Sequence, residues 1–172
     1  DASAVEATWP VVAAATSAAV SQLDTMRQSE GAALVTDLEQ ACVSIGELVQ
    51  QIRKRVPEVV AEHRQKLLER VAKVLETHHA RLDDNDVIRE VALIADRSDI
   101  SEELVRLESH VEQFRNLLGD TAPGRSLDFL AQELGREANT IGAKSVDVAI
   151  AHAVVDLKSQ VERIREQAAN IE

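Results

Sequence analysis

From Leu34 onward apolar side chains recur at Leu34, Leu38, Ala41, Ile45, Leu48, Ile52 and Val56, in steps that alternate four and three. That is the heptad spacing of helices packed at a shallow angle. Upstream, residues 12–26 are also helical in composition, and Gly31 is a place for the chain to bend or for two helices to meet. Pro57 either kinks a long helix or starts a new one in its first turn. Beyond it Val60, His63, Leu67, Val71 and Val74 continue the stripe. This half of the chain reads as one or two long antiparallel helical arms.

The second half is punctuated differently. Residues 78–86 are polar and end in Asp83-Asp84-Asn85-Asp86, a loop leading into a helix cap. A short, strongly apolar helix is expected over 87–95. Asp99 and Glu102 fit a capping box opening a helix to about 118, with Asp99 capping and Glu102 reaching back. Pro123 marks a loop over 119–124, after which Ser126 is expected to cap a helix ending near Gly142. The last helix carries Val146, Ile150, Ala153, Leu157, Val161, Ile164, Ala168 and Ile171, again a heptad stripe that requires a partner helix. The expected fold is all-α: long antiparallel arms, a bundle of shorter helices and a heptad-patterned C-terminal helix. Two regions are expected, a helical arm over 1–82 and a bundle over 83–172.

Composition supports this reading. Hydrophobic residues make up 45% of the 172, and aromatics only 2% with no Tyr, so strand formers beyond Val and Ile are scarce. The single Cys42 lies on an apolar repeat, which excludes an internal disulfide and points to packing in a reducing, cytoplasmic compartment. No apolar run is long enough to span a bilayer, and the Ala-rich start lacks the basic region of a signal peptide. The chain begins at Asp1 without Met, which suggests a fragment or a processed product. The net charge of -11 opposes binding of nucleic acid over the whole surface. Residues 50–81, however, carry eight basic and four acidic side chains, a local +4. That stretch is either a basic arm for RNA or a solvated helix face.

Phosphate-loop, zinc-finger, nucleophile-elbow and dinucleotide signatures are absent. What remains are polar groups beside the apolar stripes. On the helix 100–118 the stripe is Ile100, Leu104, Leu107, Val111, Phe114 and Leu118, and Glu103 and His110 share one edge of it, with Arg106 between them and slightly further out. On the helix 127–141, Glu133 and Glu137 share an edge; two like charges at that spacing cost about 0.2–0.5 kcal/mol. Glu90 borders the apolar side of the short helix. Were these edges to face one another, four carboxylates and an imidazole would line a cleft suited to magnesium or manganese. The competing reading is that they snorkel or pair with arginines.

Two long runs give the chain a resemblance. The first is Arg89-Glu90-Val91-Ala92-Leu93-Ile94-Ala95-Asp96-Arg97-Ser98-Asp99-Ile100-Ser101-Glu102-Glu103-Leu104, continued by Arg106-Leu107-Glu108-Ser109-His110. The second is Leu127-Asp128-Phe129-Leu130-Ala131-Gln132-Glu133-Leu134, then Arg136-Glu137-Ala138-Asn139-Thr140-Ile141-Gly142. With the ending from Glu162 to Gln167 and Met26-Arg27 upstream, the chain resembles the C-terminal half of the YicC-type bacterial endoribonucleases. The resemblance implies a cytoplasmic, divalent-cation-dependent enzyme (Mn or Mg) that cleaves RNA and assembles as a ring-like homo-oligomer of six subunits. It implies Glu103, His110, Glu133 and Glu137 as metal ligands or water-activating groups, with Glu90 as a further ligand. It matches Arg106, Arg125, Arg136 and Lys144 to positions that hold the RNA phosphate. The alternative is a helical assembly or RNA-binding module without chemistry of its own.

Overall fold

The computed structural model describes the backbone of residues 2–78, 84–97, 99–119, 124–169 and 171. Side chains are described within these ranges except at 2–7, 74–78, 84–87, 90, 94 and 97. There are five helices and, among the described residues, no strand: α1 (Ala2–His78), α2 (Asp84–Arg97), α3 (Ser101–Leu117), α4 (Gly124–Lys144) and α5 (Val148–Ala168). The all-α expectation is met. The chain divides into two compact units, Asp1–Leu38 and Glu39–Glu172.

The first unit is helix throughout its described backbone. Every described side chain from Thr8 to Glu30 is exposed, including Trp9, Val12, Val20, Leu23 and Met26. Thr25 and Thr36 turn their hydroxyls onto the carbonyls of Ser21 and Ala32, four residues back. The turn thus satisfies those polar groups locally.

In the second unit the rest of α1 buries Ala41, Cys42, Ile45, Val49 and Ile52. Val49 rather than Leu48 is the fully buried residue, because the stripe takes two successive steps near four and rolls with the 3.6-residue turn. Burial pushes the Cys42 thiol up to about 11, as expected of a packing residue.

Neither Gly31 nor Pro57 interrupts α1, which is one helix of 77 residues. An interior proline costs a helix about 3 kcal/mol. Arg55 offsets part of that cost by bracing the proline turn, donating from Nη1 to Glu58 (2.9 Å) and Glu62 (2.6 Å). Its other face donates from Nη2 and Nε to Asp147 (2.9 and 3.3 Å). Arg53 and Gln50 both donate to Glu108 of α3, at 2.8 and 2.9 Å.

α3 packs on α4, and α4 on α5. Their apolar stripes are buried where the spacing places them: Leu104, Leu107, Val111 and Phe114; Leu127, Leu130, Leu134, Ala138 and Ile141; Ile150, Ala153, Leu157, Val161 and Ile164. Helix ends differ from expectation in four places. Asp99 accepts from the Ser101 amide at 2.9 Å, but Glu102 turns outward to Arg106, so no reciprocal capping box forms. Ser126 lies inside α4, which starts at Gly124; a Cβ at Gly124 would stand 2.6 Å from the Ile171 carbonyl oxygen. α4 also runs through Gly142 to Lys144, because that glycine serves close approach: a Cβ there would meet Val154 Cγ1 at 3.1 Å. Finally, Val146 is 76% exposed and precedes α5, whose N-cap is Asp147, accepting from the Ile150 amide at 3.0 Å. The short helix α2 is longer than expected, and none of its described side chains is buried.

Candidate metal centre

The α3–α4 contact positions the candidate chemistry. Glu103 and His110 do lie on one edge of α3, and Glu133 and Glu137 on one edge of α4, and the two edges face each other. The four do not form one cluster. His110, Glu133 and Glu137 each offer a ligand atom, and these atoms all lie within 4.8 Å of one another. Glu103, two turns before His110, is engaged elsewhere.

Glu103 is 4% exposed and accepts from Lys144 Nζ at 2.9 Å, while Arg106 Nη2 stands 3.4 Å from the same oxygen. Lys144 also donates to the Asp99 carbonyl at 3.0 Å, tying the last turn of α4 to the start of α3. Burial pushes the Glu103 carboxyl up, but the Lys144 hydrogen bond, a backbone hydrogen bond and the charges of Lys144 and Arg106 outweigh it. Glu103 is thereby held below the usual carboxylate range.

Arg106 links the two halves of the site. Its Nε stands 2.8 Å from Glu137 Oε1, the Glu137 residue being 5% exposed, and its Nη1 reaches Glu102 at 3.3 Å. The contact with Glu137 raises the Arg106 guanidinium above its ordinary range against the opposing effect of burial, and the charges of Glu137, Glu103 and Glu102 add to it. The reading in which these carboxylates pair with basic groups therefore holds for Glu103 and for one oxygen of Glu137. Arg106 and Lys144, matched in the resemblance to phosphate-holding positions, are in this structure engaged with carboxylates.

His110 is different. Its Nδ1 is buried and has no hydrogen-bond partner among the described residues. Buried ring nitrogens are ordinarily satisfied, so an unpartnered one beside two carboxylates is the feature a ligand position presents. The donor set, one imidazole and two carboxylates, suits magnesium or manganese. Three donors within 4.8 Å of one another are near enough to be drawn onto one such ion. Glu133 is the more accessible of the two carboxylates, and Arg136 Nη1 stands 3.8 Å from it. Arg125 is exposed near the start of α4. The Glu90 side chain lies outside the described residues, as do His78 and His79; His152 is exposed and His63 half-buried.

Sequence reasoning missed Asp147, which caps α5 and receives Arg55. Its signal was present as an Asp directly ahead of an apolar helical run. The hydrogen bonds of Arg55, then of the Ile150 and Ala149 amides, hold its carboxyl below the usual range against the opposing effect of burial.

Comparison with known proteins agrees with this architecture. Residues 52–172 match the family described as "Endoribonuclease YicC-like, C-terminal". The chain is 41% identical over 165 residues to "Probable endoribonuclease YicC" of Clostridioides difficile (strain 630), covering 95% of this chain and 56% of that protein. It is 39% identical over 148 residues to the protein of the same name from Haemophilus influenzae, covering 86% of this chain and 50% of that one. The chain thus spans about half the length of the curated relatives it matches. No helix among the described residues is long and apolar enough to cross a membrane. A family match across well over half the chain, joined to the two motif runs on α2–α3 and α4, places this chain in the YicC-like endoribonuclease family, within its C-terminal domain.

Proposed function

We propose that this chain is the C-terminal portion of a divalent-cation-dependent endoribonuclease, with His110, Glu133 and Glu137 holding manganese or magnesium. The observation that carries the reading is the convergence of those three donors from two helices, beside a buried and unpartnered imidazole nitrogen. The names of the relatives support RNA as the substrate. A cation bound there supplies Lewis acidity to a phosphodiester oxygen and acidifies an adjacent water.

The chain's own groups have separable tasks. Arg106 fixes the Glu137 carboxylate through one oxygen and leaves the other for the ion. Lys144 neutralises Glu103, so that a second buried anion does not oppose the first. Glu133, at the accessible margin, is placed to accept a proton from the attacking oxygen. Arg136, beside it, offsets negative charge on a phosphoryl group. The family resemblance supports assembly into a six-membered homo-oligomer, and a cytoplasmic location follows from the same reading.

Thermal melting with added manganese tests the proposal. Binding to the folded state raises Tm with metal concentration, by about 2.7 kcal/mol of stabilisation at a hundredfold excess over Kd. The rise is expected in the unmodified chain and lost in His110→Ala and Glu133→Gln. A melting temperature indifferent to manganese, or a shift that survives both substitutions, overturns the assignment. It would favour the second reading, a helical module in which Arg106–Glu137 and Lys144–Glu103 are purely structural pairs.

A further inference from the structure

We infer that the groove between α4 and α5 is a track for the phosphodiester backbone of RNA, leading away from Glu133. The inference rests on the endoribonuclease reading for the identity of the polyanion. The groove is open, of about 750 Å³, and both walls contribute cations: Arg136 from α4, Lys158 and Arg165 from α5, against the single carboxylate of Glu162. On a chain of net charge -11, a concavity of net +2 is where a polyanion lands.

Its guanidiniums are loosely held. Arg136 stands 3.8 Å from Glu133 and Arg165 3.7 Å from Glu162, beyond hydrogen-bond length, and both are more than half exposed. Gln132 and Asn139 add amide donors, and no aromatic ring lines the walls. That lining recognises phosphate and sugar rather than stacked bases. An acidic peptide would satisfy the charges too, but α4 favours RNA. The helix that forms one wall also carries Glu133 and Glu137, and Arg136, which lines the groove, stands 3.8 Å from Glu133. A phosphate held by Arg136 therefore lies beside Glu133.

The test is fluorescence anisotropy of a short, labelled single-stranded RNA, with calcium replacing manganese, over salt concentrations of about 50–200 mM. The double substitution Lys158→Gln/Arg165→Gln is expected to reduce the salt slope by about 1.4, and to weaken binding about tenfold near 0.15 M salt. Gly135→Glu gives an independent arm. A Cβ there meets only Val161 Cγ1, at an ordinary 3.7 Å, so the new carboxylate enters the groove without displacing the helices. It is expected to weaken binding comparably, while Gly135→Ala leaves it unchanged. If the unmodified chain binds and all variants bind equally, the groove is overturned. Displacement by polyglutamate as effective as by unlabelled RNA overturns the choice of RNA. Failure of the unmodified chain to bind RNA overturns the groove as well. None of these variants removes a metal-centre residue, so the manganese-dependent rise in Tm scores the endoribonuclease reading separately.

Discussion

Replacing Arg106 with Met keeps most of the aliphatic stem and removes the guanidinium that joins α3 to α4. Three carboxylates lose a partner, but not equally; Glu102 is 84% exposed and is compensated by water. Glu103 loses a contact at 3.4 Å and keeps Lys144 at 2.9 Å, so its charge stays compensated. Glu137 loses the 2.8 Å bond to Nε, and no other hydrogen bond or ion pair of Glu137 is present among the described residues. Leaving a buried charged group without its hydrogen bond costs about 1.5–3 kcal/mol. Arg106 is itself 45% exposed, so water screens part of the interaction and the lower end applies, about 1.5–2 kcal/mol. For a chain of this size that is a fall in Tm of about 3–8 °C. Urea unfolding followed by circular dichroism measures it. The cycle with Glu137→Gln isolates the pair: the double variant is expected to be less destabilised than the sum of the singles by about 1 kcal/mol or more. A loss below about 0.5 kcal/mol for Arg106→Met, with no coupling in the cycle, would refute the claim that this ion pair holds the site together.

Three other outcomes follow from the same geometry. Gly142→Leu drives a side chain into Val154, 3.1 Å from the Cβ position, and is expected to cost about 1–3 kcal/mol in thermal or urea unfolding. Leu134→Ala empties a fully buried position on α4 and is expected to cost about 2–5 kcal/mol by the same measurement. Asp147→Ala removes the α5 cap and the Arg55 partner, the cap alone contributing about 0.5–2 kcal/mol. Because the folded-state carboxyl of Asp147 is depressed, its contribution is present above the ordinary value of 3.8 and is lost as pH falls through the depressed one. The stability gap between the unmodified chain and Asp147→Ala therefore narrows in acid, and a gap constant from pH 7 to pH 3 would contradict that assignment.

The parts of this fold written in hydrophobic period were legible before any coordinates. The stripes of α3, α4 and α5 are buried almost residue for residue, and the shared edges of Glu103 with His110 and of Glu133 with Glu137 follow from 100° per residue. Interruptions stay open at the level of sequence because propensity is local and its compensation is not. Pro57 reads either as a kink within a long helix or as a helix start, and α1 runs through it, with Arg55 paired to Glu58 and Glu62 across the proline turn. Gly142 looks like a stop until Val154 is found beside it. In the candidate site, spacing gave the edges but not how the four groups divide among partners. That division depends on Lys144, which is 41 residues from Glu103 in the chain and reaches it only when α4 packs on α3. His110 instead falls to Glu133 and Glu137, a choice set by the crossing of the two helices rather than by either one.

The helix surface from Thr8 to Leu23 contains no Asp, Glu, Lys, Arg or His. With nothing to titrate and no charges to screen, the order of this stretch is blind to pH and to simple electrolytes, unlike the ion-paired helices α3 and α4. Its handles are temperature and cosolvent: sulfate and osmolytes, which are excluded from apolar surface, act on it where chloride at equal ionic strength does not.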